Sequence, residues 1–287
     1  MAARRIVNLF APALNRLRPV VAVGAAVLVS ACAVSREPLL ITVPQPNLRP
    51  VMRLDHIYDY RTAAATVAWI FDRDLGFTPF PTTFRFYPHQ EAFEKALLEV
   101  GYEEGLARAT SRTMTAVGGY RGVLLNDGKF SMLEWSERVA MLAHEMGHSL
   151  QYELGGGRRG ASDQWVREGF ADWLSIRVLE RLDGISMQDG RRARHRDFES
   201  GRSRAPRLRE LVTFPQWVRA GEQHGRAMYG LSFLAVDFLL ERHGVPAMLD
   251  YFRRFAASDD RAANFRAAFG EDLETFEAAL SARLRRR

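Results

Sequence analysis

The feature that constrains this chain most is a pentapeptide, His144-Glu145-Met146-Gly147-His148, inside a segment with helical patterning. Four residues make slightly more than one helical turn, so both imidazoles leave the same face and can chelate one ion. Glu145, one position on, lies close enough to polarise a water held by that ion. Composition alone would generate the pattern about 0.01 times in a chain of this length. Ser131-Met-Leu-Glu134 reads as a capping box that opens the helix, and Gly155-Gly156-Gly157 stops it after about Leu154.

Catalytic zinc sites use three protein ligands and leave a position for water. With a single Cys in 287 residues, the third ligand must come from elsewhere. Glu168 supplies it, in the run Trp165-Val-Arg-Glu168-Gly-Phe-Ala-Asp172-Trp173, on a second helix predicted over roughly 164–182. Asp172 follows Glu168 by four positions and shares its face, where it can accept a hydrogen bond from the free ring N–H of a ligand histidine. Phe170, Trp173 and Leu174 surround these acids with apolar positions, where an unpaired acid would be costly.

A composition of 47% hydrophobic and 26% charged residues with mean hydropathy −0.20 describes a globular chain, neither disordered nor polytopic in a membrane. Helical patterning over 61–75 and 91–100 flanks an alternating strand, Thr82–Tyr87. Residues 113–117 and 120–125 read as a hairpin around Gly118-Gly119 or a pair of short strands, and from Phe214 onward the pattern is helical, punctuated by Gly244-Val245-Pro246 and Gly270. Strands come early and helices late, so the predicted class is α+β rather than a βαβ succession.

The N-terminus has its own logic. Arg4, Arg5, Arg16 and Arg18 precede an uncharged run from Pro19 to Ser35, too short for a comfortable membrane span. Val29-Ser30-Ala31-Cys32 resembles the bacterial lipobox, in which cleavage precedes a Cys that then carries a diacylglycerol. The expected organisation is a lipoprotein signal at 1–31, a Pro-rich tether at 32–50 and one domain over 51–287, its C-terminal helical part from about 214. Ala33 after the Cys favours the outer membrane, facing the periplasm. Without residues 1–31 the net charge falls from +6 to +2, which argues against nucleic acid as a partner.

His144-Glu-Met-Gly-His148 followed by Glu168-Gly-Phe-Ala-Asp172 resembles the gluzincin metallopeptidases, most of all the bacterial peptidase-MA-like domains with their Trp-x-x-Glu-Gly-x-Ala pattern. The resemblance runs over about 80–285. Phe84-Arg-Phe-Tyr-Pro88 is similar to the family's early strand, Ala227–Phe233 and Leu240–Gly244 to its downstream helix, and Phe265–Leu280 to its helical tail. It implies a thermolysin-like fold and a zinc-dependent hydrolase of peptide bonds. One Zn2+ would be held by His144, His148 and Glu168, with Glu145 as general base and Asp172 behind a ligand.

Tyr229 stands where a Tyr recurs in similar domains and is the first candidate oxyanion donor, with His224 and Arg226 as alternatives. The Gly-x-Met-Glu-Asn sequence of the clan's aminopeptidases is absent, which favours endopeptidase action on a peptide or protein substrate. Gly122-Val-Leu-Leu-Asn126 is a candidate edge strand for that substrate. The Arg-rich segment 191–209 reads as an exposed loop, and His56, His89, His195 and His243 as surface or structural residues. Two further readings stay open: a catalytically silent lipoprotein scaffold, and an amide or ester hydrolase on the same site.

Overall fold

A computed structural model describes residues 37–44, 47, 49–78, 80–158, 161–202 and 205–285. Cys32 and the signal segment 1–31 lie outside the described residues. Among the described residues no helix is long and apolar enough to cross a membrane.

Four strands, β1 (Leu39–Val43), β2 (Thr82–Tyr87), β3 (Ala116–Gly119) and β4 (Gly122–Asn126), form one sheet in the order β1-β2-β4-β3. β1 runs antiparallel to β2, β2 parallel to β4, and β3 folds back antiparallel on β4. In β2 the alternation of the sequence becomes an alternation of burial, with Phe84 and Phe86 turned into the main core. Helix α1 (Tyr60–Arg73), N-capped by the Asp59 carboxylate on the Thr62 N–H at 2.9 Å, packs on that face. On the opposite face α2 (Gln90–Glu99) and α3 (Glu104–Thr113) bury Phe93, Leu97 and Ala107 against Leu124.

After a single turn, α4 (Asp127–Phe130), the chain becomes helical: α5 (Trp135–Leu154), α6 (Gln164–Arg181), α7 (Met187–Glu199), α8 (Phe214–His224), α9 (Arg226–Arg254), α10 (Arg261–Phe269) and α11 (Leu273–Arg285). The observed class is α+β: all four strands lie before Asp127, interleaved with α1, α2 and α3, and every element after them is helical. α9 is broken at Gly244 (φ 76°), just before Pro246, and α10 ends on left-handed Gly270 (φ 73°), at the two punctuation points in the sequence.

Four expectations need correction. Leu39–Val43, placed in the tether, is a strand: Ile41 and Val43 are fully buried, so the folded domain begins before residue 51. The long helix opens at Trp135 rather than at Ser131. Ser131 instead closes α4, its hydroxyl donating to the Asp127 carbonyl at 2.6 Å, and Glu137 accepts the Glu134 N–H at 2.9 Å. Glu104–Thr113 is a helix that the sequence reading passed over. The Arg-rich segment is no exposed loop through its first half. α7 is packed, with Gly190, Ala193, Arg194 and Phe198 inward. A Cβ on Gly230 of α9 would meet the Arg194 carbonyl oxygen at 2.6 Å, a measure of how closely these two helices cross.

Candidate metal centre

The site rests on the packing of α5 along α6. Gly147, inside the pentapeptide, lets α6 approach: a Cβ there would lie 3.3 Å from Ala171 Cα and 3.1 Å from Leu174 Cδ1. Ser175 of α6 donates its hydroxyl to the Ala140 carbonyl of α5 at 2.9 Å. Gly169 lets α6 meet α9 on its other side, since a Cβ would fall 2.3 Å from the Ser232 carbonyl oxygen. The glycines of both motifs are therefore helix-contact residues, and they bring the polar faces of α5 and α6 together.

There His144 Nε2 and His148 Nε2 face each other at 3.1 Å. Glu168 approaches both, with Oε2 3.5 Å from His144 Nε2 and Oε1 3.7 Å from His148 Nε2. Ligand atoms around a tetrahedral ion with bonds of about 2.0–2.1 Å stand about 3.3 Å apart, so the spacing fits one small divalent cation. His144, His148 and Glu168 thus form a cluster that could hold a metal ion. The donor set, two imidazoles and a carboxylate with no sulfur, leaves the identity of the metal to other arguments.

Electrostatics give the cluster its character. His144 is buried, which alone would depress its pKa, but hydrogen bonds to Asp172 and Glu168 outweigh this and raise it to about 10. Burial pushes His148 down to about 4, so of the two rings His144 carries the positive charge and His148 is neutral. Glu168 is held at about 2 by the two histidines despite its burial. Burial pushes Glu145 up to about 7, opposed by the neighbouring His144 and by a hydrogen bond from the Gly118 backbone.

Behind the ligands lies a second set of contacts. His144 Nδ1 meets Asp172 Oδ1 at 3.1 Å, the partner expected from the spacing. Two residues that the sequence reading missed complete the arrangement. Arg194 of α7, 5% exposed, forms an ion pair with Asp172 Oδ2 at 2.8 Å and reaches Asp197 at 3.4 Å. Gln151 stands 3.1 Å from His148 Nδ1. Gln151 had a signal, its i+3 spacing from His148 on one helix face. Arg194 had none, being one of many arginines in its segment.

β3, not β4, is the edge strand beside the site. Gly122–Asn126 is interior, paired on both sides, which corrects its assignment as an edge. Asn126 N–H bonds the Thr115 carbonyl, and the alternation of an antiparallel ladder then turns the backbone groups of Ala116 and Gly118 away from β4. Gly118 sits directly on α5, where a Cβ would lie 2.8 Å from the Glu145 carbonyl oxygen and 2.9 Å from His148 Cβ. The Ser149 hydroxyl anchors this contact on the Gly119 carbonyl at 2.8 Å.

Of the candidate oxyanion donors, Tyr229 is buried on α9. Its hydroxyl pKa is raised by burial first and then by the charges of Glu168 and Asp172. Trp217 of α8 packs edge-on against the ring, centroids 5.0 Å apart. His224 ends α8 with its Nδ1 buried and unpartnered among the described residues, and exposed Arg226 begins α9 and acts on Asp197. His89 is structural, accepting the Ala92 N–H at the start of α2 at 3.3 Å.

Comparison of the chain with protein-family models, with curated proteins and with solved structures finds no match.

Proposed function

We propose that this chain is a zinc-dependent peptidase of the gluzincin type with a thermolysin-like active centre, acting as an endopeptidase. The observation that carries the reading is the convergence of His144, His148 and Glu168 within ligand spacing, with Glu145 on the same helix turned toward edge strand β3. His144, His148 and Glu168 are the residues that would hold the ion. Zinc, when bound, supplies Lewis acidity to the substrate carbonyl and to water.

The remaining roles belong to the protein. Glu145 takes the proton from the attacking water and delivers it to the departing amine. Asp172 keeps the proton of His144 on Nδ1 and so leaves Nε2 for the ion. The Tyr229 hydroxyl donates toward the developing oxyanion. An extended peptide adds to edge strand β3 at the Gly118 carbonyl, the Gly118 N–H being held by Glu145, which aligns its scissile bond beside Glu145. With Cys32 lipidated, the enzyme would work tethered to the cell envelope on peptide or protein substrates.

A peptide-library digest with zinc-loaded protein, read by mass spectrometry, tests the reading. Internal cleavage that disappears in Glu145→Gln supports it; no cleavage of any peptide by a protein carrying one zinc per chain overturns it.

A further inference from the structure

We infer that Gln151 is a positioning residue that fixes the tautomer of His148 and makes that choice depend on the docking of α6. The inference rests on the proposed metal site but not on peptidase activity.

Gln151 is 5% exposed on α5, three residues after His148. Its Nε2 donates to the main-chain carbonyl of Arg167 at 2.9 Å, and its Oε1 lies 3.1 Å from His148 Nδ1. These two contacts fix every proton between them. A backbone carbonyl can only accept, so the amide must present its NH2 group to Arg167. The amide oxygen then faces His148, and because it too can only accept, Nδ1 must carry the hydrogen. Nε2 is left with a bare lone pair, aimed at His144 Nε2 and Glu168.

The carbonyl that dictates this belongs to the residue immediately before Glu168. Helix α6 therefore delivers one ligand through its side chain and sets another through its backbone. An amide released from Arg167 is free to turn its NH2 group toward Nδ1, which selects the tautomer protonated on Nε2 and blocks that nitrogen as a ligand. His144 is fixed separately, by Asp172 of the same helix. Both histidines thus become competent ligands when α6 is docked on α5.

The test uses metal-free protein labelled with 15N-histidine, in which long-range 1H–15N correlations distinguish the two tautomers, together with zinc affinity measured by chelator competition. Wild type should show His148 protonated on Nδ1. Gln151→Leu should move the proton to Nε2 in a large fraction of molecules and weaken zinc binding by about 10–100-fold. A role in packing alone would lower thermal stability while leaving the tautomer and the zinc affinity unchanged, and that result would overturn the inference. Gln151→Glu guards against misfolding of the leucine variant: it keeps an acceptor toward Nδ1 and should retain the Nδ1-protonated form. Loss of that form in Gln151→Glu contradicts the inference equally. A failed peptidase reading would appear as absent hydrolysis in wild type, with the tautomer and affinity results intact.

Discussion

Arg194 Nη2 lies 2.8 Å from Asp172 Oδ2, and both side chains are almost wholly withdrawn from solvent, at 5% and 1% exposure. Asp172 in turn holds His144, so α7, despite its arginine-rich sequence, supports the candidate metal face from behind. Removing Arg194 takes one of two partners from buried Asp172, at a cost of up to about 3–5 kcal/mol, the value for a fully uncompensated charge. Arg194→Met should lose stability of that order in chemical denaturation. A variant within about 1 kcal/mol of wild type would show that Asp172 does not depend on Arg194.

What was legible in the sequence follows from what local patterns encode. His144, His148, Glu168 and Asp172 are spaced by the helical repeat, so their shared faces could be read directly, as could the glycines that break α9 and end α10. Arg194 was illegible because its partner lies on another helix and its neighbours are arginines facing water. β1 was hidden by prolines around a strand of five residues, whose burial is decided by pairing with Thr82–Phe86. The edge position of β3 depends on strand order, which hydrophobic alternation does not specify.

The contact between β3 and the metal helix makes Gly118 sensitive. A methyl group there must push the strand away from the Glu145 backbone and His148, at a cost of about 1–3 kcal/mol. Gly118→Ala should keep zinc yet lose most of its kcat/KM, because the strand proposed to align substrate and the N–H that meets Glu145 move together. Wild-type kinetics in a folded Gly118→Ala would remove β3 from the mechanism.

Tyr229→Phe deletes one buried hydroxyl within the field of Glu168 and leaves the proposed ligands alone. Zinc content should be unchanged and kcat lower by about 10²–10³, with KM little affected. Steady-state kinetics on a single fluorogenic peptide reads the split. An unchanged kcat would pass the oxyanion role to another donor.

Asp163 makes stability depend on pH. It is buried at the start of α6, accepts the Tyr251 hydroxyl at 2.9 Å, and burial raises its pKa from 3.8 to about 6 against the pull of Tyr251 and Arg261. The folded chain therefore binds more protons than the unfolded one between about pH 4 and pH 6. The stability from this group is fully present below the unfolded value and is lost as pH rises through the folded one. Relative to Asp163→Asn, wild type should lose about 2 kcal/mol between pH 4 and pH 7. Denaturation series on both proteins check this, and a difference that moves the other way contradicts it.

The central claim is that three side chains from two helices hold one ion while a fourth, Glu145, does the proton work. Zinc content per chain, measured by mass spectrometry after identical loading, tests it most directly. Wild type and Glu145→Gln should each carry one zinc, and His144→Ala, His148→Ala and Glu168→Ala should carry almost none, since three ligands are the fewest that retain the ion with a position left open. A full equivalent of zinc in Glu168→Ala would contradict the account, because α6 would then have no part in holding the metal.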